Sequence, residues 1–236
     1  MDYIEKLEWD SRFLKLNVFK VEEFSDIEKF KIEWKLRQNL IDLAYYETYM
    51  QNNNYMYLQE MNFIYVLTKV EFEIENISGE DVDFVQRCDS RFFDDEIYDL
   101  ANQLSKYSRF YKDVHFKKNV AYQLYIKWIE KAFWDETYDT FIYKEETVSG
   151  FIIVKIEDKD TIRIDLLAVD KKVKRKGIGS KLIQFVFNYY KKKGFKNCKV
   201  VTQSDNLDAI LFYQKCGFKL IQSQAVFHYW NLKEGK

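Results

Sequence analysis

Two glycines, Gly177 and Gly179, stand two positions apart in the stretch KRKGIGSKL (174–182), between an apolar run ending at Val169 and a helical pattern. Ile178, Leu182, Phe185, Val186 and Tyr189 recur at i, i+4, i+7, i+8 and i+11, which is one face of an α-helix. Strand, glycine loop, amphipathic helix is therefore an order that any fold of this chain must satisfy. Backbone N–H groups from Lys176 to Ser180 would point along the helix axis at an anion. Glycine at 177 and 179 removes the Cβ atoms that would hold such an anion away. A helix terminus contributes roughly 0.3–1 kcal/mol per favourable charge, and Lys171, Lys172, Lys174, Arg175 and Lys176 add positive potential. The loop is neither GxxxxGK[ST] nor GxGxxG. On these residues alone, a phosphate cradle and a solvated basic turn both stay open.

The loop sits in a β-rich second half. From 138, YDTFIYKEETVSGFIIVKIEDKDTIRIDLLAVD holds three short β runs separated by KEETVSG and EDKDT, the pattern of a meander. CKVVTQ (198–203) reads as a short buried strand. NLDAILFYQKCG (206–217) reads as a helix with Asn206 at its cap and Gly217 just past its end. Residues 218–232 are expected to close with two strands. In the first half, 12–22 reads as a strand after a turn, and 25–40 as a helix capped by Ser25. Residues 62–75 read as a strand, 94–108 and 119–133 as helices, and the acidic 76–93 as a linker or surface loop. The change of texture near 135 predicts two domains, 1–135 and 136–236, in an α/β chain with a mixed sheet.

Composition narrows the function classes. The net charge of −1 argues against holding nucleic acid by bulk electrostatics. The three cysteines, Cys88, Cys198 and Cys216, are far apart, form no CxxC pair and have no histidine cluster beside them, which argues against zinc and a disulfide framework. Met1 to Phe13 has no basic n-region, and no segment approaches 18 uncharged apolar residues, so neither a signal peptide nor membrane insertion is expected. The expected compartment is a reducing cytoplasm.

The ordered set of strand, glycine loop, helix, VVTQ, Asn206, Ala209, Tyr213 and Gly217-Phe218 resembles the GNAT acetyltransferase superfamily over roughly residues 138 to 232. The resemblance implies a GNAT fold whose cofactor is acetyl-CoA, with the pyrophosphate held by Lys174, Arg175, Lys176, Gly177, Ile178, Gly179 and Ser180. Lys174 stands where the family pattern prefers Gln or Arg. The resemblance also implies two splayed strands, here 162–169 and 198–203, with the pantetheine arm pairing to main chain at Leu167, Ala168 and Val169. It assigns Val169 N–H to the oxyanion and Tyr213 to the leaving sulfur. Beside this, Ala209, Phe212, Tyr213 and Cys216 share an apolar helix face, so Tyr213 also has a core reading. Asn206 is either only a helix cap or a cap that also touches the cofactor arm. Asp165, Arg163 and His228 are weighed as a general base and none is chosen.

LEWDSRFLKLNVFKVE (7–22) and SRFYKDVHFKKNVAYQLYIKWIEKAF (108–133) resemble the dTDP-fucosamine acetyltransferases, as do RIDLLAV and VVTQSDN. That likeness implies a smaller N-terminal αβ domain framing the acceptor site, a homodimer, and acetylation of the C4 amine of a dTDP-linked 4-amino-4,6-dideoxy sugar. Arg109 and Gln203 are then the expected substrate contacts, because an arginine fork meets a diphosphate with two parallel hydrogen bonds. The structural alternative is that Trp9, Phe13, Phe110 and Trp128 are core and that Arg109 pairs with Asp113 or another acid. A different amine (polyamine, amino acid or peptide N-terminus), a non-catalytic acyl-CoA-binding module and a nucleic-acid binder are the competing readings.

Overall fold

A computed structural model describes residues 3–24, 28–37, 40–49, 55–88 and 95–231. In chain order the elements are β1 (Ile4–Lys6), α1 (Glu8–Leu14), β2 (Val18–Val21), α2 (Lys29–Arg37), β3 (Leu43–Tyr49), α3 (Tyr55–Glu60) and β4 (Phe63–Ile74). Then follow β5 (Val85–Arg87), α4 (Asp95–Ser105), α5 (Arg109–Lys112), α6 (Val120–Trp134), β6 (Tyr138–Lys144), β7 (Val148–Ile156) and β8 (Thr161–Val169). A 3-10 turn (Lys171–Val173), α7 (Ile178–Lys192), β9 (Asn197–Gln203), α8 (Leu207–Lys215) and β10 (Lys219–Trp230) complete the chain. The fold is mixed α/β, as expected.

The chain forms two compact units, Met1–Lys69 with Gln222–Lys236, and Val70–Ile221. These units do not follow the expected cut at 135. The reason lies in β6 and β7. Asp139 to Tyr143 and Gly150 to Val154 are buried without a break. Successive strand residues point to opposite faces, so unbroken burial requires both faces to be covered. Ile152 and Val154 face Leu182, Val186 and Phe187 of α7 in one core cluster, while α4 and α6 pack against β6, β7 and β8. Helices before 135 thus cover the strands after it and fold with them as one unit.

Within the second unit the strand order is β4-β9-β8-β7-β6-β5. β6, β7 and β8 are the antiparallel meander read from the sequence. The acidic 76–93 stretch is not a linker where it is described. Ile77 N–H bonds the Lys196 carbonyl at 2.8 Å, Asp81 accepts from Asn188 at 2.6 Å, and β5 extends the sheet against β6. Residues 89–93 of that stretch lie outside the described residues.

In the first unit, β2 runs parallel to β3, and β1 and β10 pair antiparallel to β2 and β3. Its core gathers Phe24, Ile32, Leu36, Tyr46, Leu58 and Phe227. Two expectations are corrected here. Residues 12–14 are helical, not extended, because Trp9 and Phe13 stack at 5.4 Å one turn apart on α1. Buried Ser11 then fastens α1 to β2, its hydroxyl accepting from Val18 N–H at 3.0 Å. Residues 219–230 form one strand rather than two, since Gln222, Ser223 and Gln224 contain no residue that forces a turn. The Ser25 cap lies outside the described residues; α2 itself falls inside the expected helix.

Candidate active site

β8 and β9 pair in parallel from Thr161–Asn197 to Ile164–Val200 and no further. β8 continues to Val169 and β9 to Gln203, so the two strands part beyond that point. The cause is visible on the other edge of β8. Ile153 lies opposite Leu166 and Val154 opposite Ile164, which leaves Asp165 as an extra residue in the ladder. Such a bulge bends its strand and increases its twist. From Leu166 to Val169, β8 pairs with β7 on one edge, while its other edge is not continued by β9. Main-chain groups there suit a linear amide-bearing ligand that adds like a strand.

Asp165 itself is held in place. Its carboxylate accepts from Arg163 Nε at 2.6 Å and from the Tyr138 hydroxyl, and Arg163 also reaches Glu157 at 3.2 Å. Burial first, then the Asp165 carboxylate, push the Tyr138 hydroxyl up to about 12.

The chain leaves β8 through Asp170, whose carboxylate accepts from Lys172 N–H at 2.9 Å. Arg175 and Gly177 then take left-handed conformations, with φ 66° and 79°. Gly177 is the N-cap of α7 and supplies no side-chain cap, and a Cβ built on it would meet nothing within 4 Å. The first-turn N–H groups therefore face an open side, with Lys174, Arg175 and Lys176 exposed around them. Gly179 has a different reason. A Cβ there would come within 3.0 Å of the Phe212 ring on α8. Packing against α8 gives that glycine a reason that does not depend on an anion. Lys174 Nζ lies 3.2 Å from Asp208 in the first turn of α8. Ile178 is buried in the core, so only its main chain is available to a ligand. The Ser180 hydroxyl hydrogen-bonds the Cys216 thiol.

On α8, the Asn206 side chain accepts from Ala209 N–H and donates to Thr202 Oγ1, each at 3.4 Å. It is a helix cap tied to Thr202 near the end of β9. Tyr213 is buried, with Phe212 and Phe218 ring centroids 5.3 and 5.5 Å away. Burial pushes its hydroxyl well above the ordinary tyrosine range. The structure thus packs the Tyr213 ring in the core, with its hydroxyl held protonated.

α5 borders this region. Ser108 caps it, accepting from Tyr111 N–H at 3.2 Å, and Phe110 is buried against Phe116 and Trp128. The Arg109 guanidinium lies over the Phe110 ring at 4.9 Å, and Tyr111 is exposed. Lys112 bonds Asp205, which stands between Gln203, the last residue of β9, and Asn206. The structure thus brings Arg109's helix to the open end of the strand pair. Asp113, named with another acid as the structural alternative for Arg109, accepts from the His115 N–H and imidazole, at 2.9 and 2.8 Å. Sequence reasoning missed this dyad, although the D-x-H spacing was its signal. It also missed the Lys112–Asp205 and Lys174–Asp208 pairs, which carry no local signal. Among the described residues no group of three His, Cys, Asp or Glu side chains is placed to hold a metal, and no helix is long and apolar enough to cross a membrane.

The sequence model of the Acetyltransferase (GNAT) family matches residues 100–218, half of the chain. The chain belongs to the GNAT acetyltransferase family. The match runs from α4 through Phe218 and so includes the parted strands, the glycine loop, α5 and α8. Acetyl-CoA is the acyl donor of GNAT acetyltransferases, and the open β8 edge and uncapped α7 terminus fit its arm and its phosphates. Among curated proteins the chain is similar to uncharacterized protein YdhI of Bacillus subtilis, 36% identical over 80 residues, covering 34% of this chain and 46% of that one. It is also similar to the spore coat polysaccharide biosynthesis protein SpsD of Bacillus subtilis, 26% identical over 141 residues, covering 59% of this chain and 48% of that one. The chain thus spans about half the length of these relatives. A functionally unknown conserved protein from Staphylococcus epidermidis shares the fold, with a TM-score of 0.63 at 13% identity over 92% of this chain and 85% of that one.

Proposed function

We propose that this GNAT protein is an acetyl-CoA-dependent N-acetyltransferase that works by direct transfer to an amine. The observation that carries the reading is the parting of β8 and β9 beyond Ile164–Val200, with Tyr213 buried and protonated on the helix that follows β9. Acetyl-CoA supplies the activated acetyl thioester. Main chain at Leu167, Ala168 and Val169 holds the arm, and the N–H groups at the start of α7, with Lys174, Arg175 and Lys176, hold the pyrophosphate. Val169 N–H donates to the acetyl oxygen as negative charge builds there. Tyr213 gives its proton to the departing sulfur.

For the acceptor we propose the C4 amine of a dTDP-linked 4-amino-4,6-dideoxy sugar, contacted by Arg109 and Gln203. The likeness to SpsD, a polysaccharide biosynthesis protein, supports a sugar acceptor. So does the pairing of a cation with aromatic surface on α5, where Arg109 and exposed Tyr111 suit a diphosphate and a flat base. An acidic surface at 76–88 would suit a polyamine instead, but Asp81 in it is engaged by Asn188 and Lys192 of α7. A cytoplasmic homodimer belongs to the proposal on the resemblance alone. The test is thiol release from acetyl-CoA with a dTDP-4-amino-4,6-dideoxyhexose, the matching UDP sugar, spermidine and a short peptide. Release with the dTDP sugar alone is expected. Release only with spermidine or peptide would keep the acetyltransferase and discard the sugar.

A further inference from the structure

We propose that Arg163 is the positioning residue that fixes where β8 and β9 part, and so sets how well the open edge receives acetyl-CoA; this deepens the acetyltransferase reading and rests on it. The strand register places Arg163 at the fork. It stands opposite Lys199 of β9, one rung before the last pair, Ile164–Val200, and two residues before the bulged Asp165. Two cations facing each other across a strand pair repel. Glu157, in the turn between β7 and β8, lies 3.2 Å from Arg163 Nη1 and 3.7 Å from Lys199 Nζ. The shared carboxylate offsets that repulsion on the paired side of the fork.

The same guanidinium acts on the unpaired side. Arg163 Nε donates to Asp165 Oδ1 at 2.6 Å, and the hydroxyl of Tyr138, the first residue of β6, donates to the same carboxylate. A bulge leaves its extra residue without a ladder partner, and aspartate is a poor strand former. The Asp165 side chain keeps 24% of its surface exposed, and a carboxylate so enclosed needs donors. Arg163 and Tyr138 supply them. A chain of polar contacts thus runs Tyr138, Asp165, Arg163, Glu157, Lys199, from β6 across β8 to β9. Within that chain, Arg163 is the member that joins the last closed rungs to the bulge. A guanidinium suits the task because it offers several donors in a fixed fork, where a lysine offers one compact charge.

Without Arg163, Lys199 loses the cation it faces and Asp165 loses a donor. Both changes favour a straighter β8 that goes on pairing with β9 past Val200. CoA would then bind only those molecules whose strands stay parted, and apparent affinity falls by that fraction. An open fraction of about one-tenth gives about a tenfold loss. Bound cofactor holds the strands apart, so turnover at saturation is spared.

The experiment compares Arg163→Met and Arg163→Lys with the wild-type chain in three ways. These are calorimetry with CoA, amide hydrogen exchange without ligand, and thiol release from acetyl-CoA with the dTDP-4-amino-4,6-dideoxyhexose, spermidine and peptide as acceptors. Arg163→Met should weaken CoA binding and raise the KM for acetyl-CoA by about tenfold, while kcat changes far less. Its Leu166 to Val169 amides should exchange more slowly than in the wild type, because β9 then covers that edge. A merely structural loss would make them exchange faster. Arg163→Lys should fall between the two. Wild-type affinity in Arg163→Met, or faster exchange at those amides, overturns the assignment and leaves the acetyltransferase intact. Should Arg163→Met not fold, Arg163→Lys decides, and unchanged affinity with unchanged exchange overturns the assignment. A wild-type chain that neither binds CoA nor releases thiol overturns the acetyltransferase reading, and the role of Arg163 toward the cofactor falls with it.

Discussion

Ile164 and Val200 are the last residues paired between β8 and β9, and the residue after Ile164 is the one left over opposite β7. One extra residue on one edge of a strand thus coincides with loss of its neighbour on the other edge. Deleting Asp165 removes the bulge without changing which β7 residues face Leu166 to Val169. We expect the deletion variant to lose CoA affinity by about tenfold or more, ~1.4 kcal/mol, because a straightened β8 can go on pairing with β9. Calorimetry with CoA checks this; unchanged affinity would detach the bulge from the binding site.

Tyr213 tests chemistry against packing. Tyr213→Phe keeps the ring between Phe212 and Phe218 and removes only the hydroxyl. Turnover should fall on the order of 10²-fold, with CoA affinity and the thermal midpoint little changed. Full turnover would leave Tyr213 as a core residue.

The two loop glycines should separate. Gly177→Val places a branched side chain on the open side of the α7 terminus and should weaken CoA binding. It also carries a strain of roughly 1–2 kcal/mol from its left-handed backbone. Gly179→Ala meets the Phe212 ring at 3.0 Å, so it should lower the thermal midpoint, with overpacking typically costing about 1–3 kcal/mol. Titration and melting curves on both variants check the division. Equal CoA affinity in Gly177→Val would remove the cradle.

Lys174 is paired with Asp208, and an arriving pyrophosphate must compete for it. Asp208→Asn should tighten CoA binding, by up to about fivefold given how little an exposed pair is worth, and more at low salt than at high. Weaker binding in the variant would show that Asp208 supports the site instead.

Alkaline pH should destabilise the fold. Burial raises the Cys198 thiol above its ordinary 9.0, and Tyr125, Tyr138, Tyr190 and Tyr213 above their ordinary 10.0. Above those ordinary values the unfolded chain binds fewer protons than the folded one, so stability falls as pH rises. The thermal midpoint should begin to drop near pH 9, where Cys198 titrates in the unfolded chain, and drop more steeply above pH 10. A midpoint level to pH 11 would contradict this.

Local signals in the chain were enough for the helices, the meander, the glycine loop, the Asn206 cap and the position of Tyr213, because each depends on side-chain period or on one residue's own hydrogen bonds. The helical start of 8–14 was misread because aromatic stacking on α1 outweighed the local pattern, and the unbroken strand 219–230 because no residue at 222–224 forces the turn that two strands would need. Sequence also named Arg163 and Asp165 without telling which bond they made. Only the tertiary structure decided that α4 and α6 pack on β6 to β8, that Asp165 is a bulge, and that Gly179 lies against Phe212. It alone brought Lys112 to Asp205, 93 residues away in sequence. Contacts between residues so far apart leave no periodicity behind, because they are set by how whole elements stack rather than by any one element's composition.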